Sequence, residues 1–125
     1  MEIRHKILLL DDDPDLLDMY REILAQLPSR PEIFTAVTGS RAMAMLEAEP
    51  FRLLICDLKM PRLDGKTFFK TIAATSPALA ARVIFVTGDV AGTDAEAFLA
   101  QSGCRWLAKP FRLGDLLRTV REVLA

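Results

Sequence analysis

Four apolar runs in this 125-residue chain each end in a polar group of a kind that handles metal ions and phosphate. Leu8-Leu9-Leu10 is followed by Asp11, Asp12 and Asp13, Leu54-Ile55-Cys56 by Asp57, Phe85-Val86 by Thr87, and Leu107-Ala108 by Lys109 and Pro110. Carboxylates gathered in one place repel, and all stay ionised only beside a cation. A site of oxygen donors with few protein ligands suits Mg2+, which keeps several waters, or the similar Mn2+. A metal-held carboxylate can act as a nucleophile toward phosphorus and form an aspartyl phosphate. Phosphoryl transfer requires positioning and charge neutralisation more than covalent machinery. Lys109 can pair with one phosphoryl oxygen and Thr87 can hydrogen-bond another. Singly, each residue has a plainer reading. Asp12 fits a turn, Thr87 a strand-end hydroxyl bonded to its own turn, and Lys109 a solvated lysine. Asp13 before Pro14 reads better as a helix cap than as a ligand. The joint placement is what carries the expectation.

For these groups to meet, the apolar runs must be strands of one sheet. Strands are expected at Lys6 to Leu10, Glu32 to Val37, Leu53 to Cys56 ending in Asp57, Val83 to Val86 ending at Thr87, and Arg105 to Ala108. Between them lie segments of helical period: one with Leu16, Tyr20, Ile23, Leu24 and Leu27, then Ser40 to Ala48, Lys66 to Ala74, Thr93 to Ser102, and Leu113 to Leu124. The last has Leu113, Leu116, Leu117, Val120 and Leu124 as its apolar stripe. Near-continuous apolar strands alternating with amphipathic helices predict a parallel sheet covered on both faces. With right-handed crossovers this is an α/β fold, a flavodoxin-like (βα)5 three-layer sandwich with strand order 2-1-3-4-5. In such sheets ligands bind beyond the carboxyl ends of the strands, where the four polar groups fall.

The bulk properties fit one domain over residues 1–125. A net charge of −1 offers no nucleic-acid or membrane surface. No apolar run is long enough to span a bilayer and no secretory leader is found, so a cytoplasmic protein is expected. Cys56 and Cys104 lack metal-ligand spacing and are expected as reduced, buried thiols. His5 is the only histidine, which counts against a histidine zinc site or a Ser-His-Asp triad.

These residues resemble the response-regulator receiver family of bacterial two-component signalling across nearly the whole chain. ILLLDDDPDLL is similar to the family's first strand with its acidic pair, and LLICDLKMPRLDG to the segment around the phosphoacceptor. VIFVTGD resembles the fourth strand with its switch hydroxyl, and GCRWLAKPF the fifth with its Lys-Pro-Phe. The resemblance implies that Asp57 accepts a phosphoryl group from a phosphohistidine on a histidine kinase or histidine phosphotransfer protein. It implies that Asp12 ligates Mg2+ directly, Asp11 through water, and that Asp57 and the backbone carbonyl of Lys59 complete the protein ligands. Thr87 is expected to move onto the phosphoryl group, Lys109 to pair with it, and the Lys109-Pro110 peptide to be cis, a minority state for X-Pro bonds. The switch is a population shift driven by contacts that only the phosphorylated state makes.

The chain departs from the family at the aromatic switch position, usually Tyr, Phe or His, where it has Trp106. The larger indole either still turns inward with Thr87 or stays packed on the surface. Lys59 and Asp89 are placed to form a salt bridge over the mouth of the site and slow the entry of water. Leu17 looks too solvent-facing for its apolar character, and is a candidate anchor for the phosphodonor. No direct nucleic-acid contact, no membrane contact and no enzymatic turnover are expected. A phosphorylation-dependent dimer, and membership of a hybrid kinase or longer regulator, are left open.

Three rivals are weaker. A phosphohydrolase resembling the haloacid dehalogenase superfamily would use Asp11 and Asp13, but it lacks a final acidic pair after Lys109 and leaves Asp57 unexplained. A flavin module would need a Ser/Thr/Gly-rich phosphate loop after the first strand, where three aspartates would repel the ligand. A degenerate receiver acting as a docking module is disfavoured by the complete acidic, threonine and lysine set.

Overall fold

The computed structural model describes residues 5–60, 62–88 and 94–125. Five strands, β1 (Lys6–Leu10), β2 (Glu32–Ala36), β3 (Leu53–Asp57), β4 (Val83–Thr87) and β5 (Arg105–Ala108), form one parallel sheet in the order β2-β1-β3-β4-β5. The helices among the described residues are α1 (Pro14–Leu24), α2 (Gly39–Ala48), α3 (Gly65–Thr75), α4 (Pro77–Ala80), α5 (Asp94–Ser102) and α6 (Leu113–Leu124). This is the α/β architecture and strand order that the sequence predicts.

Successive side chains of a strand point to opposite faces, so an unbroken apolar strand feeds two cores. Ile7, Leu9, Leu53, Ile55, Ile84 and Val86 pack under α1 and α6, against Tyr20, Leu24, Leu116 and Val120. Their alternates Leu8, Leu10, Leu54, Cys56, Val83 and Phe85 pack against Ala42 of α2, Phe68 and Ile72 of α3, and Phe98 and Leu99 of α5. Three central strands, apolar but for Lys6 at the start of β1, Asp57 at the end of β3 and Thr87 at the end of β4, thus fix a three-layer sandwich beneath the carboxyl edge of the sheet. β2 and β5 lie at the edges and are correspondingly less buried.

Several expectations are corrected. Leu17 is not solvent-facing: it is 4% exposed and belongs to the core beneath α1 and α6. The buried stripe of α1 and its following turn runs through Leu17, Tyr20, Leu24 and Leu27, while Leu16 is only partly buried against it. The exposed apolar side chain on this helix is Met19. An anchor reading of Leu17 therefore gives way to a packing one. Leu17→Ala should lower the unfolding free energy by about 2–5 kcal/mol in urea titrations. A loss below about 0.5 kcal/mol, the range of surface substitutions, would contradict that packing role.

Leu113, expected in the α6 stripe, is 46% exposed at the first position of its helix. Cys56 is buried as expected, whereas Cys104 is only half-buried; both are free thiols. The sequence reading contains no element between α3 and β4, where the single turn α4 begins with Pro77. Thr93, expected to open α5, lies outside the described residues.

Candidate acidic metal and phosphoacceptor site

The carboxyl ends of four strands converge through sheet register. β1 and β3 are neighbours with Leu10 opposite Cys56, so Asp11 and Asp57 follow side by side. β4 lies beyond β3, and Thr87 at its end pairs with Ala108 of β5. That register places Lys109 one step past the sheet, where its N–H donates to the Thr87 carbonyl at 2.8 Å. The next peptide, Lys109-Pro110, is cis. Phe111 then stacks on Tyr20 of α1, with ring centroids 5.6 Å apart and planes at 18°. Tyr20 reads from sequence only as a core residue. Its stack on Phe111 joins α1 to the segment carrying Lys109, a link that helical periodicity does not reveal.

Lys109 Nζ donates to Asp11 Oδ2 and to Asp57 Oδ2, each at 3.2 Å. The other oxygens of both carboxylates accept backbone donors two residues on: Asp11 Oδ1 from the Asp13 N–H and Asp57 Oδ1 from the Lys59 N–H, each at 3.0 Å. Asp11 is 1% and Asp57 6% exposed, so neither carboxylate swings freely. Asp12 is exposed beside them. Asp13 is turned to α1, whose first turn it caps by accepting from the Asp15 and Leu16 N–H groups. Asp64 caps α3 in the same way, and its hydrogen bonds to Thr67 and Lys66 hold its carboxyl below the usual range. That cap closes the loop that leaves Asp57. Where the loop meets the helix, a Cβ on Gly65 would come within 2.5 Å of Leu58 Cδ1. The Lys59–Asp89 pairing concerns a residue outside the described set.

Burial pushes the Asp11 carboxyl up, against the Asp13 N–H and the Lys109 charge, while the Asp57 charge pushes it further up. Burial alone would lower the Lys109 ammonium, but the charges of Asp57 and Asp11 outweigh it and raise it, so the lysine stays protonated. Burial, and then the two carboxylates, also push up the Tyr20 phenol and the Cys56 thiol, so both stay neutral.

The arrangement fits a small hard cation. Carboxylate oxygens of Asp11, Asp12 and Asp57 lie within 4.8 Å of one another. Oxygens on opposite sides of one Mg2+ are about 4.2 Å apart, so small side-chain adjustments or bridging waters bring this set onto one ion. The buried Thr87 hydroxyl has no hydrogen-bond partner among the described residues. An unpaired buried hydroxyl costs about 1–3 kcal/mol, and a phosphoryl oxygen at Asp57 would supply the acceptor it lacks. Trp106 is in register with Phe85, so it shares a sheet face with Phe85 and Thr87, and it is 41% exposed.

Fold and site define a parallel α/β domain whose acidic, hydroxyl and ammonium groups meet at the carboxyl edge of the sheet. The chain belongs to the response regulator receiver domain family, which it matches over residues 7–121. It is 30% identical to the response regulator receiver protein CpdR of Brucella abortus, covering 95% of this chain and 96% of CpdR. It is 29% identical to the transcriptional regulatory protein GlrR of Escherichia coli, covering 94% of this chain but only 26% of GlrR. In structure it is similar to a CheY-like receiver domain protein of Methanospirillum hungatei, with a TM-score of 0.86, 28% identity, and 98% and 94% of the two chains covered. Receiver domains of this family are regulatory modules that typically bind Mg2+ and interact with histidine kinases or phosphotransfer proteins. Some relatives are transcriptional regulators, so the expectation of no nucleic-acid contact does not extend to longer proteins built on such a domain. No helix among the described residues is long and apolar enough to cross a membrane.

Proposed function

We propose that residues 1–125 form one receiver domain that takes a phosphoryl group on Asp57 and uses it to change the conformation around Thr87 and Trp106. The observation that carries this reading is the Lys109 ammonium bridging Asp11 and Asp57 within a cluster of three carboxylates. The donor is a phosphohistidine on a histidine kinase or histidine phosphotransfer protein, and the setting is the cytoplasm. An Asp57 carboxylate oxygen attacks phosphorus, the new O–P bond forms as the P–N bond to imidazole breaks, and the electron pair leaves with the imidazole. Asp11, Asp12, Asp57 and the Lys59 carbonyl would hold Mg2+. When bound, the ion neutralises phosphoryl charge and orients the transferring group.

The protein's own groups do the remainder. Lys109 turns from its two carboxylates to a phosphoryl oxygen, and stabilises the charge that builds there during transfer. The Asp13 and Lys59 N–H groups keep the Asp11 and Asp57 carboxylates aimed while Lys109 moves. Thr87 donates its unpaired hydroxyl to another phosphoryl oxygen, a contact available only after transfer. Trp106, on the same sheet face and one strand away, moves inward into the space that Thr87 leaves. A ligand shifts such an equilibrium only by its differential contacts, and the Thr87 hydrogen bond is one.

Beryllofluoride is a stable mimic of the phosphoryl group, and a receiver of the same structural class, DrrB, has been solved in its beryllofluoride-activated form. Adding it with Mg2+ should change the Trp106 emission, and Thr87→Ala should remove most of that change while adduct binding persists. An unchanged emission in wild type with the adduct bound would sink the Trp106 switch and leave the phosphoacceptor reading to its own test.

A further inference from the structure

We infer that Tyr20 is a positioning residue for Lys109: its ring, stacked on Phe111, fixes the chain from which the lysine reaches Asp57. The consequence for phosphorylation rests on the phosphoacceptor reading; the geometry does not. The layer between the sheet and helices α1 and α6 is built of aliphatic side chains, and among the described residues its two rings are Tyr20 and Phe111. The opposite layer is rich in phenylalanine, with Phe51, Phe68, Phe85 and Phe98 in its core. In the aliphatic layer the two rings meet each other, with centroids 5.6 Å apart and planes at 18°. A leucine would serve the core at position 20, as Leu17 and Leu24 do on the same buried stripe, but it offers no flat face to Phe111.

Lys109 is held from both sides. Behind it, its N–H donates to the Thr87 carbonyl at 2.8 Å. Ahead of it, Pro110 alone separates it from Phe111, and a proline ring fixes φ, so little slack lies between the lysine and the stacked ring. The side chain is a flexible four-carbon stem, and where its ammonium rests depends on where its backbone is held. It rests 3.2 Å from Asp11 Oδ2 and 3.2 Å from Asp57 Oδ2. The Asp11 end of that bridge is tied to the same helix as Tyr20. Asp11 Oδ1 accepts from the Asp13 N–H, and the Asp13 side chain caps α1. Ammonium and carboxylate are thus both anchored on α1, and the stack is the contact that anchors the ammonium. Tyr20 is 2% exposed, and burial, then the charges of Asp11 and Asp57, push its phenol up, so the ring lies within electrostatic reach of the site.

Without the stack Phe111 is free to turn, and the backbone of Lys109 shifts with it. A misplacement of about 1 Å in a reacting constellation can cost about 100-fold in rate, so a shift of part of that should cost about tenfold. Three substitutions separate the ring from the rest of the residue. Tyr20→Leu keeps the position apolar and removes the stack. Tyr20→Phe keeps the stack and removes the hydroxyl. Phe111→Leu removes the same stack from its other side.

The test has two readouts. The first is the initial rate of adduct formation with acetyl phosphate and Mg2+, read by intact mass. Tyr20→Leu and Phe111→Leu should each slow it about tenfold, while Tyr20→Phe stays within about twofold of wild type. In a Lys109→Met background, Tyr20→Leu should make no further difference, because the ring acts through the lysine. The second is 13C relaxation at Lys109 Cε in Mg2+-free protein. It should report an ordered side chain in wild type and Tyr20→Phe and a mobile one in both leucine variants. Lys6, which pairs with Glu49 at the opposite end of the sheet, should stay unchanged throughout. Equal slowing by Tyr20→Leu with and without Lys109 would overturn the positioning role, as would a loss in Tyr20→Phe as large as in Tyr20→Leu. So would a Lys109 side chain as ordered in the leucine variants as in wild type, or a loss of order at Lys6 as well, which would mean general loosening. If wild type itself takes no adduct, the phosphoacceptor reading fails on its own, and the relaxation of Lys109 alone decides whether the stack positions it. Phe111 is only half-buried, so Phe111→Leu carries both readouts even where Tyr20→Leu fails to fold.

Discussion

Lys109→Met should slow phosphorylation of Asp57 by a small phosphodonor about 100- to 1,000-fold, the usual loss when one preorganised donor to a developing oxyanion is removed. The same variant should bind Mg2+ at least as tightly as wild type. These opposite effects follow from one geometry. The ammonium lies 3.2 Å from an oxygen of Asp11 and 3.2 Å from an oxygen of Asp57, so in the resting protein it neutralises the same carboxylates that would face the ion. Removing it abolishes a competing cation and leaves the buried pair more dependent on metal. Transfer to Asp57 then loses the group that pairs with the phosphoryl oxygen. Initial rates of adduct formation and calorimetric Mg2+ titration on one preparation check both arms. A rate within about threefold of wild type, or a loss of Mg2+ binding, would mean that Lys109 serves only to hold the resting carboxylates.

Phe85→Ala should produce the largest loss of stability among single core substitutions on the α3/α5 face. The ring is almost fully buried on β4 and forms a three-ring cluster with Phe69 and Phe98. Its centroid is 5.7 Å from that of Phe69 at 63° and 5.4 Å from that of Phe98 at 70°, both edge-to-face. Truncating a buried phenylalanine costs about 3–5 kcal/mol, to which the lost edge-to-face contacts contribute about 0.5–1.5 kcal/mol each. In a domain of this size that corresponds to a fall in Tm of roughly 10–20 °C. Calorimetry reads it directly, and a fall of less than about 5 °C would show that α3 and α5 collapse into the vacated space. Phe85 is also in register with Trp106, so the cavity should alter Trp106 emission even in unphosphorylated protein.

The sequence makes the strands and the polar set legible for the same reason: both are written in the local alternation of apolar run and strand-end polar residue. β1, β3, β4, β5 and α6 fall where the spacing predicts, β2, α2 and α3 differ by one residue at their ends, and α1 stops at Leu24, three residues short of the Leu27 that the periodicity includes. Phase was harder. Leu16 and Leu17 are adjacent apolar residues on one helix, and periodicity from Leu16 leaves Leu17 facing out. The packing of α1 against α6 instead selects the line through Leu17, Tyr20, Leu24 and Leu27. The exposure of Leu113 has a related cause, since a first-turn residue reaches past the end of the sheet before the helix settles on it. α4 is a single turn and leaves no periodic trace. At the site, residue types are readable but partnerships are not. Nothing in the order of residues states that Lys109 bridges Asp11 and Asp57, or that the Thr87 hydroxyl is left unpaired. Those follow from strand register, which joins residues up to 98 positions apart.

The central claim, that Asp57 is the phosphoacceptor, is tested most directly by intact mass. Wild-type protein and Asp57→Asn are incubated with acetyl phosphate, each with and without Mg2+. The proposed function predicts one phosphoryl adduct on wild type with Mg2+ present, at most a trace without it, and none on Asp57→Asn. An adduct of equal yield on Asp57→Asn, or steady release of phosphate through Asp11 with no adduct on either protein, would contradict it.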